Sequence, residues 1–228
     1  MHISTLLRGC MVASLTAVSS FSFAQKVVTT EKTGQLETLI SEAEREKTPS
    51  LQVVGPINGE DIQVIRTMCG RDYSGYESEG TTRTLDLSEA LIKQEAGKNY
   101  LNEQLGFYNR FYAPSADNEI GIKMFYRCEP LREIILPKTT TVIAGQAFDN
   151  CTSLTKCTFF AGLTTIRQYA FRNTKLTNVE LPSTLTAMEA KVFDGCKELT
   201  TVMFTSKAVP TLPDELFPNC PKLKTVIV

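Results

Sequence analysis

From Leu131 onward, apolar residues recur on a fixed period. Segments open at Leu131, Leu154, Leu176, Leu199 and Leu223, at steps of 22 to 24 residues. Offsets 3 and 5 in each segment are apolar again: Ile134 and Leu136, Cys157 and Phe159, Val179 and Leu181, Val202 and Phe204, Val226 and Val228. Those offsets share one face of an extended strand, so each segment predicts a short strand with these residues turned inward. Offsets 2 and 4 then face outward: Glu133 and Ile135, Lys156 and Thr158, Asn178 and Glu180, Thr201 and Met203, Thr225 and Ile227. Offset 12 is apolar in Ile143, Ile166 and Met188, with Leu212 one place later. A Phe column follows at Phe125, Phe148, Phe171, Phe193 and Phe217. Three residues after each Phe stand Cys128, Cys151, Thr174, Cys196 and Cys220. Two columns on one period predict a solenoid whose coils bury their apolar faces against each other. The Leu, Phe and Cys columns are its expected core, and Thr174 alone departs from the third.

Upstream the pattern changes. Gln35–Lys47 has Leu36, Leu39, Ile40 and Ala43 at helical spacing, with Glu37, Glu42, Glu44 and Arg45 opposite, and predicts one amphipathic helix stopped by Pro49. Leu51–Val54 reads as a strand, Gly55-Pro56 as a turn, and Asn58 as the cap of a helix carrying Ile62, Ile65 and Met68. Residues 70–84 are Gly-, Ser- and Thr-rich and read as a loop. Leu85–Ser88 opens another strand. The span from there to Leu131 is twice the repeat, which implies an insertion near 93–118. Its aromatic cluster, Tyr100, Phe107, Tyr108, Phe111 and Tyr112, either packs the insertion onto the array or forms a ligand platform. The expected organisation is a leader at 1–24, a flexible linker at 25–33, an N-terminal cap at 34–84 and the array at 85–228.

The ends and the composition narrow the functional classes. Arg8, the apolar and small residues from Cys10 to Phe23, and Ser22-Phe23-Ala24 before Gln25 have the form of a secretion signal. Leu7-Arg8-Gly9-Cys10 offers a rival reading as a lipid-attachment box. Removing the leader removes His2, the only histidine, and with it His-based catalysis and His metal ligation. The remaining cysteines follow the repeat period rather than a C-x-x-C spacing, so they read as buried filler and not as a metal site. Cys69 has no obvious partner, and Cys157 is expected in the core. A balance of 24 Lys+Arg against 25 Asp+Glu gives no basic stripe for nucleic acid. No cofactor and no transmembrane segment is expected.

The segments Leu131-Arg-Glu-Ile-Ile-Leu-Pro137, Ala147-Phe-Asp-Asn-Cys151 and Leu176-Thr-Asn-Val-Glu-Leu-Pro182 resemble the BspA-type leucine-rich repeat family of Bacteroidetes surface proteins. Gly55-Pro-Ile-Asn-Gly59 and Leu85-Asp-Leu-Ser-Glu-Ala90 resemble that family's N-terminal region. The resemblance implies an α/β leucine-rich repeat solenoid. Short parallel β-strands would line its concave face, helical and loop segments its convex face, and a helical cap its N-terminus. It also implies a non-catalytic secreted, periplasmic or cell-surface protein that binds a protein or glycan partner, for instance a host extracellular protein.

On the residues themselves, the outward columns listed above, Glu133 to Ile227, are the candidate partner-binding surface. Ile135, Met203 and Ile227 add apolar area to it. A second reading is a structural protein that self-assembles through an uncapped C-terminal edge strand at Leu223–Val228, giving a homo-oligomer. A third is a carboxylate-dependent glycosidase using Glu133 and Glu180. No catalytic or metal residue is otherwise expected.

Overall fold

The computed structural model describes residues 25–105, 108–205, 213 and 215–227. The expected leader, Phe107, Leu212 and Val228 lie outside them. In chain order, β1 (Lys26–Thr29) is followed by α1 (Leu36–Leu39), α2 (Glu42–Lys47), β2 (Ser50–Ile57) and α3 (Gly59–Met68). Next come β3 (Thr84–Asp86) and β4 (Ala90–Ile92), then a hairpin of β5 (Leu101–Leu105) and β6 (Tyr108–Tyr112). Beyond it each coil supplies strands to two rows. One row takes β7 (Glu119–Ile120), β9 (Val142–Ile143), β11 (Thr165–Ile166) and β13 (Ala187–Met188). The other takes β8 (Glu133–Ile135), β10 (Lys156–Thr158), β12 (Asn178–Leu181), β14 (Thr201–Phe204) and β15 (Thr225–Ile227).

Every ladder between these strands is parallel except the hairpin's. Short parallel strands with loops between them are what a coil repeating every 22 to 24 residues must form. The first sheet runs β1-β2-β3-β8-β10, so the N-terminal strands and the first repeats share one surface. A second sheet, β12-β14-β15, continues the row, and β13-β11-β9-β7 forms the other row.

The core is built from the repeat columns. Phe125, Phe148, Phe171, Phe193 and Phe217 stack in order, with centroids 5.3, 5.1, 5.6 and 5.7 Å apart and planes within 14°. That spacing exceeds carbon contact distance, so the rings are parallel and offset, as the ring quadrupole favours. Phe159 meets Phe171 edge-on at 5.8 Å. The inward strand residues Ile134, Val179 and Val202 and the leucines from Leu131 to Leu199 are buried. Phe217, Cys220 and Leu223 are only partly buried, because a single neighbouring coil lies against them.

The Cys column is more than filler. Cys151 Sγ donates to the Phe125 carbonyl at 3.0 Å, and Cys196 and Cys220 reach those of Phe171 and Phe193 at 3.1 Å. Thr174 breaks this pattern: its Oγ1 donates within its own coil, to the Phe171 carbonyl at 3.0 Å, the same carbonyl that Cys196 takes. Burial pushes the Cys128 thiol up to about 11 and Cys196 to about 12, so both thiols remain protonated at neutral pH. Arg127, Asn150, Asn173, Gly195 and Asn219 precede these positions with φ between 56° and 70°. This left-handed conformation is one that asparagine tolerates and glycine adopts freely, and it turns each coil onto the next.

Several expectations from sequence are corrected. Residues 25–33 are not a free linker, since β1 pairs with β2 from Lys26↔Leu51 to Thr29↔Val54. The single helix over 35–47 is two. Ile40 is extended and buried, and Ser41 starts α2 with a capping box to Glu44. Gly55-Pro56 is not a turn but the bend of a longer β2, which pairs with β3 before the bend and with β4 after it. Gly55 has φ +99°, and a Cβ there would lie 2.2 Å from the Thr30 carbonyl oxygen. α3 starts at the expected place. Asn58 accepts from the Glu60 and Asp61 amides, and buried Asp61 takes those of Gly34, Leu36 and Asn58.

The insertion is the β5–β6 hairpin. It is anchored by buried Tyr100 and Tyr112, while Tyr108 and Phe111 are exposed. Neither expectation for the aromatic cluster therefore covers all of its members. Two buried charges had no signal in the pattern. Arg66 on α3 donates to the Lys123 and Met124 carbonyls, joining the helix to the first repeat. Asp149 is fully buried and takes a two-pronged bond from Arg172 at 2.9 and 2.5 Å.

Candidate functional site

The outward residues lie on the strand face where alternation puts them. Each coil-to-coil register aligns them in columns: Glu133↔Lys156 and Ile135↔Thr158, then Asn178↔Thr201↔Thr225 and Glu180↔Met203↔Ile227. Lys156, Asn178, Glu180, Thr225 and Ile227 are exposed. Glu133, Ile135, Thr158, Thr201 and Met203 are half-buried between their neighbours. Lys156 Nζ bonds the Glu133 carboxylate at 2.5 Å. Glu180 has no ion-pair partner among the described residues. Asn178 Oδ1 accepts from Thr200 Oγ1 at 3.0 Å, which fixes its amide.

The ten residues do not form one continuous sheet, as the repeat alone would lead one to expect. The ladder stops between β10 and β12. The Leu154-to-Leu176 coil is one residue shorter than its neighbours, and the Lys175 amide bonds the Leu154 carbonyl. At the other junctions the bond instead comes from the residue after the opening Leu, as in Thr155 to Arg132 and Thr200 to Thr177. Phe159 occupies the offset of Leu136, Leu181 and Phe204 and is turned edge-on to Phe171. The strands part there, leaving a seam.

Main-chain geometry sets what the seam offers. Lys156 and Thr158 bond across to the β8 coil, through Lys156 N–H to Arg132 and Leu136 N–H to Thr158. Alternate residues of a parallel strand point to opposite sides, so the N–H and C=O of Cys157 face β12. β12 bonds β14 through the Thr177 and Leu181 carbonyls, which turns the main-chain groups of Asn178 and Glu180 toward β10. Among the described residues no backbone bond joins β10 to β12 themselves, and the Lys175–Leu154 bond lies just before the two strands. A groove of about 580 Å³ opens here, lined by Cys157, Phe159, Val179, Glu180 and Met203 among others. Cys157, expected in the core, is therefore half-buried and reaches the groove. Desolvation pushes its thiol well up, which keeps it neutral.

A second cavity, of about 450 Å³, lies between residues 71–77 and the hairpin. Its Arg71 is already held by Glu129 at 2.7 Å and by the Arg127 carbonyl at 2.8 Å. Among the described residues no three His, Cys, Asp or Glu side chains come together as a metal site, and no helix is long and apolar enough to cross a membrane.

Glu133 and Glu180 sit on opposite sides of the seam, and Lys156 holds Glu133. The seam had a faint signal in the sequence, the short coil coinciding with Phe159 and Thr174.

The BspA type leucine rich repeat region is matched in six copies over residues 118–228. No curated protein matches the chain. Among solved structures, a T. pallidum leucine-rich repeat protein is 22% identical, covering 66% of this chain and 71% of that one, with a TM-score of 0.41. A leucine-rich repeat protein from Bacteroides ovatus is 18% identical over 78% of this chain and 43% of that one, at 0.45. The pneumococcal vaccine antigen PcpA is 12% identical over 78% and 56%, at 0.46. The chain thus spans less than half of the Bacteroides ovatus protein and just over half of PcpA. By sequence, residues 118–228 match the BspA type leucine rich repeat region, and the column register and the stacked Phe core lie within that match.

Proposed function

We propose that this is a non-catalytic exported or cell-surface protein that binds a protein or glycan partner through its strand face. The observation that carries the reading is the strand face itself. Its outward columns combine apolar Ile135, Met203 and Ile227 with charged and amide groups around a groove of about 580 Å³. Solenoid arrays use this face for recognition, and a groove of that volume falls within the range of binding sites. Export rests on the leader-like residues 1–24, and surface placement on the character of the family. Residues 34–84 would serve as the N-terminal cap.

The test is a binding screen of the protein from residue 25 onward against extracellular proteins and glycans. The screen is repeated with the double variant Glu180→Lys/Met203→Asp. A binder lost on the double variant supports the reading. Binding that survives it moves the site off the strand face.

A further inference from the structure

The seam between β10 and β12 combines two properties. Main-chain donors and acceptors of Cys157, Asn178 and Glu180 face it without a strand to take them up. Glu180 presents an exposed carboxylate beside it, and among the described residues the one cation lining the groove, Lys156, is already engaged by Glu133 at 2.5 Å. The groove therefore carries an unbalanced negative charge next to unpaired amides, over an apolar floor of Phe159 and Val179.

We propose that the seam binds an extended polypeptide segment that brings a Lys or Arg side chain to Glu180. A small apolar side chain of the same segment lies against Phe159 and Met203. Its own peptide groups pair with the free N–H and C=O of Cys157 and Glu180. The inference rests on the strand face being the binding surface, and it names the partner's chemistry there. A peptide supplies donors and acceptors together, and main-chain pairing with an unfilled strand edge is a recurrent mode of peptide recognition. A neutral glycan matches the amides but leaves the Glu180 carboxylate without a counter-charge, so the cationic peptide is the favoured class.

The experiment follows backbone amide resonances of the protein while either of two capped pentapeptides is added. One is acetyl-Ala-Val-Lys-Val-Ala-amide and the other carries Glu in place of Lys. The lysine peptide is expected to shift the Cys157 and Glu180 amides saturably, and to bind about tenfold or more tightly than its glutamate counterpart. Glu180→Lys should invert that preference. Glu180 is exposed, so an otherwise unchanged spectrum verifies that this variant is folded.

The proposal is overturned if neither amide moves at millimolar lysine peptide, or if Glu180→Lys leaves the preference as it was. Shifts confined to outward residues away from the seam, such as Thr225, overturn the seam assignment while supporting strand-face binding. Shifts confined to the turns around Asn150 and Asn173 overturn both.

Discussion

Replacing Phe171 with alanine removes the middle of the aromatic stack. Phe171 is fully buried, lies parallel to Phe148 and Phe193, and takes the edge of Phe159. Truncating a well-packed Phe costs about 3–5 kcal/mol. Each aromatic pair contributes about 0.5–1.5 kcal/mol beyond its buried area, and three pairs place Phe171→Ala at the upper end, near 5 kcal/mol. Phe217 has one stacking partner and is partly exposed, so Phe217→Ala should cost about 2 kcal/mol. For a chain of this size each kcal/mol lowers the midpoint by about 2–4 °C. The expected drops are therefore about 10–20 °C and about 4–8 °C. The position matters as much as the size. The strand face has no ladder between β10 and β12, so the two halves of the array are coupled there by the Phe stack, the β11-β13 ladder and turn bonds such as Phe171 to Val192 and Asn173 to Asp194. Phe171→Ala should therefore broaden or split the transition, which Phe217→Ala should not. Thermal unfolding followed by circular dichroism and calorimetry reads both effects. A Phe171→Ala midpoint within a degree or two of wild type, or a smaller loss than that of Phe217→Ala, refutes the stacked core.

Four other outcomes are expected. Asp149→Asn keeps the shape but removes the charge that Arg172 grips, and should lower stability by about 1–3 kcal/mol in denaturant titrations; an unchanged midpoint would show the pair to be incidental. Gly55→Ala forces a Cβ onto the Thr30 carbonyl at a left-handed φ, so it should cost about 2 kcal/mol or more and free the β1 amides to hydrogen exchange. Burial works to raise the Glu103 carboxyl, but bonds from Lys123 and Tyr112 outweigh it and hold the value below the ordinary range. A lowered carboxylate value means stability present above the unfolded value and lost as pH falls through the folded one, so the deficit of Glu103→Gln at pH 7 should vanish in acid; a deficit that persists there would assign it to packing. A thiol reagent on the native protein should spare buried Cys69, Cys128, Cys151 and Cys196 and reach all six cysteines from Cys69 to Cys220 in denaturant; rapid native labelling of Cys151 or Cys196 would contradict the hydrogen-bonded column.

Periodicity carried the repeat region well because one rule acts at every coil. A residue that must face inward in one coil must do so in the next, so Phe148, Phe171 and Phe193 could be placed by counting. The same counting could not show the seam. Hydrophobic pattern reports which face a residue occupies, but not whether two strands come close enough to bond, and the junction that fails to bond coincides with a coil one residue short. The upstream errors have a similar origin. Gln35–Lys47 satisfies helical spacing, yet buried Ile40 and the Ser41–Glu44 capping box divide it. Gly55-Pro56 has the composition of a turn, but the sheet uses its backbone freedom to bend a strand between two partners. Residues 26–29 are short and flanked by polar groups, and only tertiary pairing with β2 makes them a strand. Arg66 and Asp149 were invisible because a charged residue reads as surface until the carbonyls and the guanidinium that bury it are known.

Hydrogen exchange at individual amides, with and without the tightest partner from the binding panel, tests the central claim that the open strand face is the recognition surface. Cys157 and Glu180 should exchange faster in the free protein than the laddered Val179 and Val202, and should slow when the partner binds. Slow exchange at both in the free protein would show the seam closed. Partner-induced protection confined to the turns at 146–150 and 169–173 would place recognition on the other side of the array.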